Sequence, residues 1–503
     1  MRSKKALLNI VTNLILQIFI FLYGFILPKI IMSKYGSNVN GLISSVSQFL
    51  AYISLLESGV GPVVKSILFE PIAKKDNKKI IDILYATEKF FRRIAMIFIV
   101  YIFVLIIFYP MIIDTTMNKT YVSSLIIIIS ISIFSQYFFG MVYSLFLQAN
   151  QESYVISLIQ VVTYILSITA ALVMAKLEVS VHILKLCISL LFVLRPIMQN
   201  VYVKKRYNLN LTLANKDYVI KNRWDGLAQH IAYVVHSNTD ITVLSLFSTL
   251  SEVSVYSVYL LIVKGIKALI SAFTSGLDAS FGDMISRNEI DNLRNKFELY
   301  EIIYFIICSV LFSCLIILIV PFVQVYTYNI NDADYIRPIF GVLLAISECI
   351  WAIRLPYLTL TYAAGHFKET RTGAWIECIL NLLISIILVR RLGIVGVTIG
   401  TIVAMIIRTA EFIYHANYNI LKVNILKSVK KVFLLIFIIC ITSVSAFKIF
   451  NLDVSTYYNW IKIAVFVFIY STATTLLLSI PIYRKNLKRI LNVCISLFKR
   501  KLK

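Results

Sequence analysis

The feature that most constrains this chain is an apolar run roughly 20 residues long that recurs, with short breaks, from one end of the sequence to the other. A helix of that length rises about 30 Å, the thickness of the hydrocarbon core of a bilayer. Composition agrees: 59% of the 503 residues are hydrophobic and only 15% are charged, whereas a soluble domain has about 45–50% and about 25%. The mean hydropathy is +0.84. No water-soluble core absorbs that excess, so the solvent for most of the chain is lipid and the expected fold is an all-α polytopic membrane protein.

Reading for apolar length and breaks predicts about fourteen transmembrane helices. They fall near 7–31, 42–67, 94–113, 121–147, 155–175, 181–201, 226–247, 253–278, 302–325, 338–364, 374–389, 394–414, 432–450 and 460–482. Charge supplies an independent check, because cytoplasmic loops retain Lys and Arg. With both termini cytoplasmic, the internal segments hold about 33 Lys and Arg against about six outside and about ten within spans. The first run lacks a small-residue cleavage site and is too long for a signal-peptide core, so it is expected to remain as a helix.

The net charge of +24 does not point to nucleic acid. The basic residues fall in short clusters between apolar runs, as in Lys74-Lys75-Asp-Asn-Lys78-Lys79, Lys204-Lys205-Arg206 and the tail from Arg484 to Lys503. Clusters of that kind set topology and attract anionic lipid. The seven cysteines show no C-x-x-C spacing, so neither a disulfide framework nor a metal site is expected, and no cofactor motif appears. The predicted outer loops are short, and no G-x-x-x-x-G-K-[ST], G-x-S-x-G or H-E-x-x-H pattern occurs. An enzyme acting at a membrane surface needs convergent acid, base or nucleophile groups, so the chain is not expected to be an enzyme and no catalytic residue is assigned.

Polar groups inside spans are costly and turn toward a bundle interior or a wet cavity. In the first span Asn9, Asn13, Gln17, Gly24 and Pro28 fall within about 100° of one another at 3.6 residues per turn. Ser47, Ser54, Glu57, Gly61 and Lys65 do the same in the second span. Asp225, Gln229, Tyr233, His236 and Asp240 line up in the seventh. In the eighth, Ser257, Lys264, Lys267, Ser271, Ser275 and Asp278 fall within roughly 80°. The strongest polar faces thus open each of two sets of six spans, a correspondence that predicts two six-helix lobes around a central cavity. The boundaries are then 1–203 for the N-terminal lobe, 204–225 for a cytoplasmic linker, 226–415 for the C-terminal lobe, 416–482 for helices 13 and 14, and 483–503 for a basic cytoplasmic tail.

Within those faces Lys264 and Lys267 are the sharpest signal, since each costs at least about 2.5 kcal/mol near mid-span and like charges one turn apart repel. They are the leading candidates for binding an anionic group in the cavity, with Lys65 and Arg354 as further cavity candidates. Asp240, Glu57 and His236 are candidates for coupling or counter-ion roles, although a lone histidine is more often a structural hydrogen-bonder. Glu348 lies about 120° around its helix from Arg354, so those two are not expected to pair along one helix. Arg408 and Glu411, three residues apart, are expected to pair with each other.

Several stretches resemble polysaccharide flippases of the Wzx type, which share a superfamily (MOP) with the drug and toxin extrusion (MATE) transporters and the lipid II flippases. They are the opening Arg2-Ser-Lys4-Lys5, Tyr52-Ile-Ser-Leu-Leu-Glu57-Ser-Gly59-Val-Gly61 followed by Pro71-Ile-Ala-Lys74-Lys75, and Asn238-Thr-Asp240 with Val255-Tyr256. Lys264-Gly-Ile-Lys267 leading to Ser275-Gly276 and Phe281-Gly282-Asp283 belongs with them. The resemblance covers most of the chain and rests on loose family patterns. It implies two six-helix lobes in a V around a cationic cavity that opens alternately to each side, with two further C-terminal helices of the kind that lipid-handling members carry. It implies a polyprenyl-diphosphate-linked oligosaccharide, undecaprenyl diphosphate or a teichoic-acid-type precursor, moved from the inner to the outer leaflet of a bacterial cytoplasmic membrane. Expected partners are that glycan lipid, membrane lipids, a coupling ion (H⁺ or Na⁺) and other polysaccharide assembly proteins.

Two rivals stay open. A MATE-like cation-coupled exporter of small organic cations predicts an anionic cavity, while the striped helices lean cationic. A membrane polysaccharide polymerase or ligase predicts a long outer loop bearing acid–base groups.

Overall fold

A computed structural model describes residues 2–57, 60–209, 211–215, 218, 227–274 and 277–501. Of the described residues 88% are helical and none lies in a strand. In chain order the helices are α1 (Arg2–Tyr35), α2 (Ser37–Ala51), α3 (Val60–Lys74), α4 (Asn77–Ile112), α5 (Lys119–Ser135), α6 (Met141–Ala149), α7 (Ser153–Lys176) and α8 (Val181–Tyr207). There follow α9 (Leu227–Phe247), α10 (Leu250–Thr274), α11 (Leu277–Ser286), α12 (Ile290–Tyr326), α13 (Pro338–Ala363), α14 (Arg371–His415), α15 (Leu426–Ile449) and α16 (Tyr457–Lys501).

Local chemistry sets the ends. The Asp76 carboxylate accepts from the Lys79 amide at 3.0 Å at the head of α4, and Asn118 accepts from Thr120 at 3.0 Å at the head of α5. These are side-chain caps for amides that have no partner within the helix. At the tail of α8, Lys204, Lys205 and Arg206 occupy the last turn and Asn208 takes the left-handed conformation at φ 48°. Cations there complement the helix dipole, and asparagine tolerates the left-handed turn.

Among the described residues, twelve stretches are long and apolar enough to cross a membrane, so the chain is a multi-pass membrane protein. One of them, Arg371–Leu421, contains two expected spans, broken at Gly393 where φ is 53° and ψ is −131°. Splitting that stretch and adding α9, the expected seventh span, recovers the fourteen expected from sequence; α9 falls outside the twelve and carries Gln229, His230, His236, Asn238 and Asp240.

One expected span is not a uniform α-helix. The second changes at Tyr52–Glu57 into a 3₁₀ segment and resumes as α3 at Val60. A 3₁₀ turn holds 3.0 residues, so the stripe projected from Ser47 at constant α-helical pitch does not carry unchanged through Ser54, whereas Gly61 and Lys65, four apart on α3, share a face and Gly61 lies beside the Glu57 carboxylate. The eighth is described as helix to Thr274 and again, as α11, from Leu277. Its polar stripe is described as far as Ser271; Ser275 and the side chain of Asp278 lie outside the described residues. Five-residue and six-residue π-helical segments, Gln136–Gly140 and Ala416–Leu421, interrupt the ladders after α5 and α14.

By contacts the chain divides into two compact units, Met1–Ser257 and Val258–Lys503. In the first, α7 packs on α1 and α8, and α5 on α4 and α8. Its core includes Leu42, Leu50, Phe91, Phe98 and Leu125, each 0% exposed. In the second, α12 contacts α13, α15 and α16. Of the apolar stretch of α12, 67% is buried, against 22% for that of α16, so α12 is the centre of this unit and α16 lies at its lipid-facing side. A small cluster of Ile317, Leu318, Ala446 and Val467 joins α15 and α16 to α12.

Candidate functional site

Lys264 and Lys267 project from α10, one turn apart, into opposite circumstances. The Lys267 ammonium lies 2.9 Å from Oε2 of Glu348 on α13 and 4.4 Å from the centre of the Trp351 ring. Glu348 is buried, so Lys267 neutralises a charge that would otherwise be stranded. The Trp351 face adds a cation–π contact. Lys264 is exposed and has no acidic partner among the described residues. The expected pair of equivalent cavity cations thus resolves into one that anchors α10 to α13 and one that is available.

Arg354 departs from the expectation that it faces a cavity. It is buried, and its Nη1 lies 2.7 Å from Glu377 of α14. The other Glu377 oxygen lies 3.6 Å from Arg408, which also reaches Glu411 at 2.5 Å and the Thr370 carbonyl at 2.7 Å. Two guanidinium groups and two carboxylates thereby neutralise one another between α13 and α14, while Arg354 Nε has no hydrogen-bond partner among the described residues. The reason is burial: a charge this deep needs charged and hydrogen-bonded partners. The expected Arg408–Glu411 pair is present as one edge of this network, and Glu348 and Arg354 take different partners. Glu377, which carries no expected role, is its hub.

The other candidates are more scattered. Lys65 is half-buried on α3, with no ionic partner among the described residues. Glu57 closes the 3₁₀ segment and hydrogen-bonds the Tyr137 side chain from the π-helical turn. Asp240 on α9 accepts from the Tyr256 hydroxyl of α10 at 2.7 Å. Asp225 and the side chains of Gln229, Tyr233 and His236 lie outside the described part of the molecule.

The polar faces of α2 and α9 meet. Tyr52 and Thr242 hydroxyls are 2.9 Å apart, the Gln48 amide donates to the Asn238 side chain, and Asn40 donates to Ser254 at 2.8 Å at the start of α10. Beside Asn40, Gly41 faces the Leu250 carbonyl so closely that a Cβ has no room. Every polar pair named in this seam is uncharged, so parting it costs hydrogen bonds of about 0.5–1.5 kcal/mol each and strands no ion.

One cluster was not legible in advance. Asn381, 0% exposed in the first half of α14, accepts from Ser385 at 3.0 Å and from Thr401 at 3.4 Å, beyond the Gly393 break. The Asn381 amide nitrogen has no partner among the described residues. Its signal in sequence is an asparagine and a serine four apart in an otherwise apolar span; the partner sixteen residues past Ser385 comes only with the kink. Among the described residues no three His, Cys, Asp or Glu side chains gather as a metal site.

No family model matches the sequence, and no curated protein matches it. The fold matches that of solved transporters. It is similar to Lipid II flippase MurJ in an inward closed conformation, with a TM-score of 0.67 at 14% identity over 95% of this chain and 99% of that one. It is similar to an inward-facing multidrug resistance MATE family transporter of the MOP superfamily, with a TM-score of 0.62 at 14% identity over 79% of this chain and 95% of that one. The MATE multidrug transporter DinF-BH gives 0.59 at 15% identity over 84% and 96%.

Proposed function

We propose that this chain is a flippase of the bacterial cytoplasmic membrane that carries a polyprenyl-diphosphate-linked oligosaccharide, or a teichoic-acid-type precursor, from the inner to the outer leaflet without breaking a bond. In this reading two six-helix lobes enclose a cationic cavity that opens to each side in turn, and both termini are cytoplasmic. The observation that carries it is Lys264, a cation on a membrane-embedded helix whose neighbour Lys267 already neutralises the nearby carboxylate. An ammonium left without an acid in such a setting is costly unless an anion meets it, and a diphosphate is such an anion. The fold shared with a lipid II flippase supports the same reading.

The physical task is modest. The polar head must be shielded from hydrocarbon while its lipid tail stays in the bilayer, and an inside-negative potential favours outward movement of an anion by about 2.3 kcal/mol per charge per 100 mV. Lys264 receives the phosphate, Lys267 and Trp351 hold α10 in place, and Asp240 and Glu57 are the coupling candidates.

The test is accumulation of lipid-linked oligosaccharide on the inner leaflet. Cells depleted of the protein and cells carrying Lys264→Ala at equal expression are both expected to accumulate it. An absence of accumulation on depletion, in a strain with no redundant flippase, overturns the glycolipid reading and favours export of small organic cations, for which the likeness to multidrug MATE transporters speaks.

A further inference from the structure

A groove of about 760 Å³ runs between α7 and α8 in the first unit. Its floor is apolar: Leu158, Ile197 and Val201 line it and are 47%, 45% and 46% exposed, so they face the surroundings of the helix bundle and not its core. Its mouth is basic and aromatic, formed by Tyr202, Lys205 and Arg206 in the last turns of α8. From Ile197 to Arg206 the helix rises roughly 14 Å at about 1.5 Å per residue. One leaflet of a hydrocarbon core about 30 Å thick is of the same depth. Apolar groove and cationic mouth are thus spaced like the acyl chain and phosphate of one lipid.

We propose that this groove binds an anionic glycerophospholipid of the leaflet that faces the basic end of α8, with an acyl chain along Leu158, Ile197 and Val201 and the phosphate on Lys205 and Arg206. Lys205 is exposed and has no acidic partner among the described residues. Arg206 lies 3.7 Å from Glu152, and that buried carboxylate keeps Lys5 at 3.0 Å and the Tyr207 hydroxyl at 2.7 Å when Arg206 turns away. Releasing Arg206 to a phosphate therefore strands no charge. The mouth offers two cations and the hydroxyls of Tyr154 and Tyr202, while the rest of the lining is apolar. That suits a single phosphate and gives a glycan nothing to bind, which favours a phospholipid over a glycolipid.

Native mass spectrometry of the purified full chain in detergent tests this, with phosphatidylglycerol and phosphatidylcholine of identical acyl chains as probes. Phosphatidylglycerol is expected to bind in preference. Lys205→Ala with Arg206→Ala is expected to weaken it on the order of tenfold, whereas Lys204→Ala, an exposed neighbour outside the lining, leaves it unchanged. Leu158→Trp, which fills the floor, weakens both lipids. Equal binding of the two lipids, equal loss from Lys204→Ala, undiminished binding in Leu158→Trp, or preference for a polyprenyl phosphate over phosphatidylglycerol would each overturn the assignment.

Discussion

Glu377 shows how a single residue decides whether its neighbours are functional groups or framework. In the sequence it is one acid within an apolar run, and Arg354 has the pattern of a cavity cation. In the structure Glu377 lies between Arg354 and Arg408 at 2.7 and 3.6 Å. Glu377→Ala is expected to cost about 3–5 kcal/mol, because Arg354 is left buried without a counter-ion while Arg408 retains Glu411. Thermal unfolding in detergent measures this as a lowered Tm, and Lys264→Ala, which removes no described ion pair, is expected to leave Tm within the range of ordinary surface substitutions. A Tm for Glu377→Ala equal to that of the unaltered chain contradicts the network. The division between Lys264 and Lys267 could not be read in advance for the same reason: both satisfy one stripe on α10, and only α13 supplies the acid that separates them.

At the scale of elements, periodicity locates the helices but treats each as uniform. The 3₁₀ turn at Tyr52–Glu57 falls in a span whose polar face was projected at constant pitch, and it changes that pitch part-way along the span. Gly393 is the clearest case. Its φ of 53° with ψ of −131° is a backbone state in which a Cβ is strained, so Gly393→Ala is expected to cost about 1–3 kcal/mol and to lower Tm. No change in Tm counts against a sharp break at that residue. The α2–α9 seam gives a second element-scale expectation: a disulfide across Gln48→Cys and Asn238→Cys should arrest transport, with recovery on reduction. Transport unaffected by an oxidised bridge shows that the seam does not part during the cycle.

For the whole molecule the question is how the last two helices are tied on. Glu301 of α12, 2% exposed by its side chain, accepts from Lys431 of α15 at 2.6 Å and from the Tyr357 hydroxyl of α13. This buried pair joins α15 to the centre of the second unit. Lys431→Ala removes the cation and leaves Glu301 with a neutral donor, at an expected cost of about 3–5 kcal/mol. Limited proteolysis in membranes should then cut the α14–α15 connection at 422–425 faster than in the unaltered chain. Unchanged cleavage indicates that the apolar contacts of Ile317, Leu318, Ala446 and Val467 alone hold these helices.

The sequence by itself determined the solvent, the number and approximate places of the helices, and the helix faces on which polar residues gather. Those follow from hydropathy and from the fixed pitch of a helix, which act within one segment. Only the tertiary structure decided which charges are spent. Lys267 on Glu348, Arg354 on Glu377 and Lys431 on Glu301 each join residues that sequence separation hides. Burial makes such pairing compulsory, because in a low-dielectric interior a charge takes whatever opposite charge the packing brings to it.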